Sequence, residues 1–364
     1  MSSAIEQLVL VSALRDRTEI NRTVVQALFL ACPAEEVGIY AIIPRASGAL
    51  CLAVADCRGA AAEVLDVYAL SSTQGTPLAQ EPGVAACVRA AAHVSRPVTL
   101  SSGLVGVEHC WPIFQHGQVA SVCVVRCRQE PAPATLAGID GAMRYLGNHL
   151  ALLDYAETDT LTGLFNRKTF EENLGRVLVQ AERDAATGSG DSVTGRRLSA
   201  QLETPEGAAA ADEEAANWLG VIDIDHFKAI NDTWGHIYGD EVLLLVAQLM
   251  RDAFRFEDRL FRFGGEEFVV ILQSTQQHYA QRVFDRFRHL VAEHDFPQVG
   301  NITLSIGFTR IDPMDTPTEV VGRADEALYF VKGHGRNGTL CYEALLADGS
   351  LQRHEPTQME VELF

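Results

Sequence analysis

Trp218-Leu-Gly-Val-Ile-Asp-Ile-Asp225 and, further along, Arg259-Leu-Phe-Arg-Phe-Gly-Gly-Glu-Glu-Phe-Val-Val-Ile-Leu272 are the stretches on which the reading of this chain turns. The first is an apolar run of strand length that ends in two carboxylates. Side chains alternate along a strand, so Asp223 and Asp225 point to one side of it. The second holds two strand-like runs, Arg259–Phe263 and Phe268–Leu272, around Gly264-Gly265-Glu266-Glu267. That is the pattern of a hairpin whose turn carries two glycines and two acids. Paired glycines accept positive φ and let a ligand approach the backbone. Acids converging from neighbouring strand ends suit a hard divalent ion such as Mg²⁺, which prefers oxygen ligands and keeps sites for phosphate oxygens.

The basic residues point the same way. Lysine occurs only at 168, 228 and 332, and all other basic side chains are arginine. Lys228 follows Asp223 closely, and Lys332 precedes Gly333-His-Gly-Arg336-Asn-Gly. An ammonium is a compact donor for phosphate oxygens, and an arginine offers a two-pronged one.

Gly264-Gly-Glu-Glu-Phe268 resembles the signature of the GGDEF family of diguanylate cyclases, with Glu266 where the name-giving motif has Asp. The resemblance continues through Asp159-Thr-Leu-Thr-Gly-Leu-Phe-Asn-Arg167, Asp223-Ile-Asp-His-Phe-Lys-Ala-Ile-Asn-Asp232, Gly235-His-Ile-Tyr-Gly-Asp240 and Ser305-Ile-Gly307. It ends with Ala324-Asp-Glu-Ala-Leu-Tyr-Phe-Val-Lys-Gly-His-Gly-Arg-Asn337. These pieces follow family order over residues 156–343, interrupted only by 184–217.

The resemblance implies an enzyme that joins two GTP into cyclic di-GMP and releases two pyrophosphates, on a palm-like, ferredoxin-like antiparallel sheet flanked by helices. By similarity Asp223, Glu266 and the Ile224 carbonyl would hold Mg²⁺, with Mn²⁺ as the alternative. Glu266 and Glu267 are the catalytic acids, Glu267 being a second metal contact or a base, and which acid takes the hydroxyl proton stays open. Asn231 and Asp240 match the guanine-reading positions. Lys228, Lys332, Arg336 and the backbone at Phe227 match phosphate contacts, while Asp225 is expected to be structural. Arg255-Phe-Glu-Asp258 matches the family's RxxD inhibitory site for product, with Arg286 as a secondary contact. Each catalytic domain would bind one GTP, so the resemblance implies a homodimer.

Outside this region the chain reads as a second α+β domain over 1–133. Helical spacing covers 3–31. Strand-like runs fall at Glu36–Ile43 and Leu50–Cys57 around a turn at 44–48, an Ala-rich helix at Pro82–His93, and a hairpin at His109–Phe114 and Gln118–Arg126. This order resembles GAF sensor domains and implies an unidentified small-molecule effector. His93, His109 and His116 read as structural or solvated rather than as haem or metal ligands. Leu136, Ile139, Met143, Leu146, Leu150 and Leu153 recur at 3-4 spacing, a narrow stripe that would suit a parallel helix pair from two subunits, so a homodimer through helix 136–153 is expected, within a signalling coiled-coil helix assigned to 134–158. An amphipathic helix packed on its own domain is the alternative. The catalytic domain is assigned to 159–343, the Gly-, Ala- and acid-rich stretch 184–217 to a flexible insert, and 344–364 to a loose acidic tail.

The 364 residues are enough for two domains. A net charge of −19 disfavours a polymeric nucleic acid as partner, because such binding needs a basic surface. No apolar run approaches the ~18–20 residues of a membrane span, and the start lacks a basic segment before an apolar core, so a cytoplasmic location without membrane attachment is expected. Eight scattered cysteines without a CxxC pair fit buried reduced thiols. Against the enzyme stand two other readings, a catalytically idle module that senses GTP or cyclic di-GMP and a scaffold acting through its helix and insert. Idle relatives of the family usually lose acids of the hairpin or the guanine contacts, all of which are present here, and the scaffold reading leaves the active-site set without a role.

Overall fold

The computed structural model describes residues 11–43, 49–59, 61–65, 75–91, 98–102, 106–115, 118–186, 215–255 and 257–352. The chain divides into two compact units, Met1–Ala156 and Glu157–Phe364.

The first unit is built on an antiparallel sheet. Strands β1 (Ala34–Ile43), β2 (Leu50–Cys57), β3 (Ala62–Val64), β4 (Thr76–Pro77), β5 (Val98–Ser102), β6 (Gly106–Gln115) and β7 (Gln118–Cys127) run in the order β3-β2-β1-β7-β6-β5, with β4 paired to β2. The sheet is covered on both faces, and β7 shows how. Cys123, Val125 and Cys127 enter the core made with helices α1 (Arg17–Ala31) and α3 (Pro133–Glu157), whereas Val122 and Val124 pack with helix α2 (Pro82–Ala91). Period-two alternation with both faces apolar gives a nearly unbroken hydrophobic run. Asp16 caps α1 by accepting from the Thr18 and Glu19 amides. The short edge strands β3, β4 and β5 were not expected from the sequence. All eight cysteines of the chain are buried and free. The turn at 44–48, His93 and His116 lie outside the described residues, while His109 is buried beside Trp111.

The heptad stripe corrects an expectation. Ile139, Met143, Leu146 and Leu150 are buried in the core of their own domain, and Leu136 and Leu153 pack at its margin. The stripe covers the α1 side of the sheet, so it is not a seam open to another subunit. Polar contacts fix the helix there. Gln115 donates to Asp154 at 2.8 Å, Arg17 pairs with the same buried carboxylate, and the His149 ring meets the Leu14 carbonyl at 3.1 Å.

The second unit is a five-stranded sheet in the order β12-β11-β8-β10-β9, formed by β8 (Ala216–Ile224), β9 (Arg259–Arg262), β10 (Glu267–Thr275), β11 (Leu304–Ile311) and β12 (Thr339–Cys341). All pairs are antiparallel except β11 with β12. Helices α4 (Arg167–Ala186), α5 (Phe227–Trp234), α6 (His236–Ala253), α7 (Gln277–Glu293), α8 (Pro317–Gly333) and α9 (Tyr342–Ala347) flank it. Thr316 and Glu319 form a capping box at the start of α8. Gly307 lets α8 lie directly on β11, since a Cβ there would stand 2.1 Å from the Leu328 nitrogen. The stretch 184–217 is helical to Ala186 and joins β8 from Ala216, with 187–214 outside the described residues. The expected loose tail is corrected at its start. Helix α9 buries Tyr342 and Leu345 against Ala327, and only 353–364 lie outside the described residues. No described helix is long and apolar enough to cross a membrane.

Leu146→Ala should lower the unfolding free energy of the first unit by about 2–4 kcal/mol, because it leaves a cavity in a packed core. Chemical denaturation at several protein concentrations checks this. A loss that grew only as the protein was diluted would restore the stripe to a subunit seam.

Candidate active site

Strand β8 is central, paired to β10 on one side and β11 on the other, so its C-terminal end is surrounded by backbone. Asp223 stands there in register with Glu267 of β10 and Ser305 of β11. Its carboxylate is 8% exposed and receives the Lys332 ammonium at 2.8 Å. Burial pushes this acid above its ordinary range, Asp225 adds repulsion, and Lys332 and Arg336 pull the other way.

Asp225, two residues on, has a different environment. Its carboxylate accepts from the Ser305 hydroxyl and the Thr303 hydroxyl, each at 2.6 Å, and from the Asn337 amide at 3.0 Å. A buried carboxylate with three donors is satisfied by the protein and ties β8, β11 and the end of α8 together. Its structural assignment rests on these bonds.

The hairpin between β9 and β10 closes with the Phe263 and Gly264 amides both donating to the Glu267 carbonyl, at 2.9 and 3.3 Å. Across the sheet the Ile224 amide donates to the Glu266 carbonyl at 3.4 Å, so the turn lies against the end of β8. Glu266 is raised above the usual carboxylate range by burial first and by the charges of Asp223 and Glu267, with Lys332 opposing. Asp223, Glu266, Glu267 and Lys332 therefore share one electrostatic site.

Helices α5 and α6 form an elbow beyond the tip of β8. His226 precedes α5 with φ 60°, turning the chain sharply after Asp225. Phe227 is buried and Lys228 is exposed on the first turn of α5. Asn231 is half-buried with its carboxamide over Gly239. A Cβ at 239 would fall 2.0 Å from Asn231 Oδ1, so only glycine admits this packing. Asp240 follows on α6 with its side chain exposed. At the end of α8, Gly335, Arg336 and Asn337 all have positive φ, and this tight bend carries Arg336 past Lys332 while aiming the Asn337 amide at Asp225.

The expected inhibitory residues lie elsewhere, in the turn between α6 and β9 at the far end of β9 from the glycines. The Arg255 amide donates to Asp258 at 2.8 Å, closing the turn. Arg286 of α7 bonds the Ala253 carbonyl, which puts it in the same neighbourhood. Burial pushes the Asp258 carboxyl up to about 6, opposed by the Arg255 amide.

The donor set fits a divalent cation that brings its own further ligands. Asp223 and Glu266 offer two carboxylates held close enough that the charge of Asp223 raises Glu266, and the Ile224 carbonyl is adjacent in sequence. Among the described residues no three His, Cys, Asp or Glu side chains form a ready-made cage. Mg²⁺ commonly binds in this way, through one or two carboxylates with the remaining positions left to water and phosphate.

Sequence reasoning missed Arg262. Its guanidinium reaches Asp159 and the Gly265 carbonyl, and no local pattern announced the contact. It also missed Asp325 of α8, which has Glu267 and Lys332 as charged neighbours.

An acid-tipped antiparallel sheet with a glycine turn, a lysine and an amide-bearing elbow is chemistry for a phosphorylated, hydrogen-bonding ligand carried on a divalent ion. Residues 192–338 match the family profile described as diguanylate cyclase, GGDEF domain, and the chain carries a GGDEF domain. Over 185 residues it is 36% identical to the diguanylate cyclase DgcP of Pseudomonas aeruginosa, covering 50% of this chain and 23% of that protein. Over 203 residues it is 36% identical to the response regulator PleD of Caulobacter vibrioides, covering 54% and 38%. The GGDEF domain of DgcB from Caulobacter crescentus, solved in complex with c-di-GMP, is 31% identical, covering 52% of this chain and 96% of that one with a TM-score of 0.42. The chain thus spans less than half the length of these two curated relatives.

Asp258→Asn removes a titration whose sign is fixed. The native acid holds its proton more tightly than the unfolded one, so its contribution to stability is greatest below pH ~4 and is lost as pH rises through about 6. The stability of the variant relative to the parent should rise by on the order of 1–2 kcal/mol between pH ~4.5 and ~7.5. Paired thermal melts at the two pH values measure this, and a constant difference would refute the assignment.

Proposed function

We propose that this protein is a diguanylate cyclase that condenses two GTP into cyclic di-GMP and two pyrophosphates. The observation that carries the reading is the tip of β8. A buried carboxylate paired with Lys332 stands beside Glu266 of a glycine turn, next to an elbow bearing Asn231 and Asp240. Asp223, Glu266 and the Ile224 carbonyl would hold Mg²⁺, with Mn²⁺ as the alternative. That ion supplies neutralisation of the triphosphate and stabilises charge on the α-phosphoryl group.

The chain's own residues do the rest. Lys332, Lys228 and Arg336 bind phosphate oxygens, aided by the backbone amides at the start of α5 around Phe227. Asp240 accepts from guanine N1–H and the 2-amino group while Asn231 pairs with the base edge. Adenine lacks that amino group and carries an unprotonated N1, so it would leave the acceptor unmatched at a cost of about 1–3 kcal/mol. Glu266 and Glu267 are assigned as the acids that orient and deprotonate the attacking 3′-hydroxyl.

One domain holds one nucleotide, and the product contains two, so the active species is a homodimer. Its contact is assigned to the outer face of α3. Tyr145, Leu152 and Tyr155 are 41%, 69% and 73% exposed and share one side of that helix, opposite the buried stripe. Product is held at Arg255 and Asp258, with Arg286 alongside, as feedback. The first unit is read as a GAF-like sensor in the cytoplasm. Support comes from its antiparallel sheet with helices on both faces. Under α2 lies a polar seat in which Arg126 bonds Glu108, Glu36 and Glu81 at 2.6, 2.9 and 3.1 Å.

Purified protein with GTP and Mg²⁺ should yield cyclic di-GMP by chromatography, and Glu266→Gln should lower turnover at least ~100-fold with the fold retained by circular dichroism. An active Glu266→Gln variant, or no product from the parent at any protein concentration, would refute the reading. Arg255→Ala should raise the product concentration for half-inhibition about tenfold or more, since it removes a charge-assisted contact. Equal inhibition of both proteins would remove the feedback site.

A further inference from the structure

The turn that carries Glu266 is closed at its base, where the Phe263 and Gly264 amides donate to the Glu267 carbonyl, and its tip is built of glycine. Gly264 and Gly265 restrict the backbone least of all residues. The link from the Glu266 carbonyl to β8 is long, at 3.4 Å. A carboxylate that must meet a cation within a few tenths of an ångström needs a stiffer support.

Arg262, the last residue of β9, supplies one. Its Nη2 donates to the Gly265 carbonyl at 2.8 Å. Its Nη1 reaches both oxygens of Asp159, at 3.1 and 3.2 Å. The guanidinium is rigid and planar, so a carboxylate fixed on one arm fixes where the other arm points. Asp159 is fixed in turn. Its Oδ1 accepts from the Thr162 amide at 2.8 Å and the Thr162 hydroxyl at 2.7 Å. Its own amide donates to the Leu164 carbonyl at 2.8 Å.

The turn 158–165 is sewn onto β9 by backbone. Phe165 donates to the Leu260 carbonyl at 3.1 Å, and the Arg262 amide donates to the Phe165 carbonyl at 2.8 Å. Its start is anchored as well. The Glu157 carbonyl, at the end of α3, accepts from the Asn166 amide at 2.9 Å and the Thr169 hydroxyl at 2.8 Å. A continuous set of hydrogen bonds therefore leads from the last residue of α3 to the Gly265 carbonyl.

We propose that Arg262 is a positioning residue for Glu266, and that Asp159 sets Arg262, so that the metal-binding turn is held by the segment that immediately follows α3. This rests on the cyclase reading above and adds to it a device by which displacement of that segment changes cation affinity. Arg262 touches neither nucleotide nor cation in this scheme. It acts through the Gly265 carbonyl, one residue before Glu266.

The test uses the full chain and four variants: Arg262→Ala, Arg262→Lys, Asp159→Asn and the Arg262→Ala/Asp159→Asn pair. Lysine keeps the charge but cannot serve the carboxylate and the carbonyl together. Mn²⁺ binding, read by electron paramagnetic resonance in the presence of a non-hydrolysable GTP analogue, should weaken about tenfold in Arg262→Ala and several-fold in Asp159→Asn. In the double variant it should weaken no further than in Arg262→Ala alone. Turnover of folded variants should fall about tenfold with KM for GTP changed less than about threefold. If Arg262→Lys and Asp159→Asn melt like the parent and bind Mn²⁺ with parental affinity, the positioning role is overturned. Additive losses in the double variant would overturn the Asp159 link. A parent that binds Mn²⁺ with the analogue but makes no cyclic di-GMP would instead defeat the cyclase reading and leave the positioning role standing on the binding data.

Discussion

A carboxylate at the end of a central strand, buried on both sides by backbone, is costly to keep charged unless cations face it. Asp223 is that carboxylate. Its neighbour Asp225 makes matters worse, because a second negative charge beside it raises Asp223 further. The fold resolves this by dividing the labour. Asp225 takes three donors from Ser305, Thr303 and Asn337 and becomes part of the scaffold. Asp223 is left to Lys332 as its direct partner, with Arg336 as a further positive charge. Lys332 reaches it from α8, which Gly307 lets lie directly on β11, and the left-handed bend at Gly335–Asn337 that follows aims the Asn337 amide at Asp225. Strands β8 and β11 and helix α8 thus meet at these two carboxylates.

This division also explains why the site is poised rather than closed. A carboxylate already saturated by three protein donors has no capacity for an incoming ion. One paired with a lysine keeps acceptor capacity, because an ammonium is a single compact partner. Glu266 is treated similarly. It sits beside Gly265, whose backbone has open space above it, and its charge is raised in energy by Asp223. Two acids that repel each other across a gap are stabilised by whatever positive charge fills it.

Much of this was legible in the sequence because it is local. The acid-tipped run at 218–225 and the glycine hairpin at 264–267 carry their geometry in period-two alternation and turn chemistry, and the strands fall where those patterns place them. The pairing of Asp223 with Lys332 was not legible, since the two lie on β8 and α8 and only the packed fold joins them. Arg262 was hidden for the same reason. In sequence it is one arginine among many in a short strand. The strands β3, β4 and β5 are too short to develop a periodic signal, and α9 begins in a stretch whose polarity suggested a tail although Tyr342 and Leu345 anchor it.

Helix α3 shows the limit of periodicity most clearly. A 3-4 repeat reports that a helix has an apolar stripe and says nothing about what covers it. Here the core of the same unit covers it, where Ile139, Met143 and Leu146 share one cluster with Ile39, Cys123 and Val125 of the sheet and with α1. Its outer side is different, with Tyr145, Leu152 and Tyr155 exposed. Glu157, the last residue of α3, enters the hydrogen bonds of the turn before α4, and Arg262 is the side chain that carries the turn's position to Gly265. Under the positioning role proposed for Arg262, the backbone at Glu157 is therefore the point from which a shift of that turn would reach the acids of the glycine hairpin.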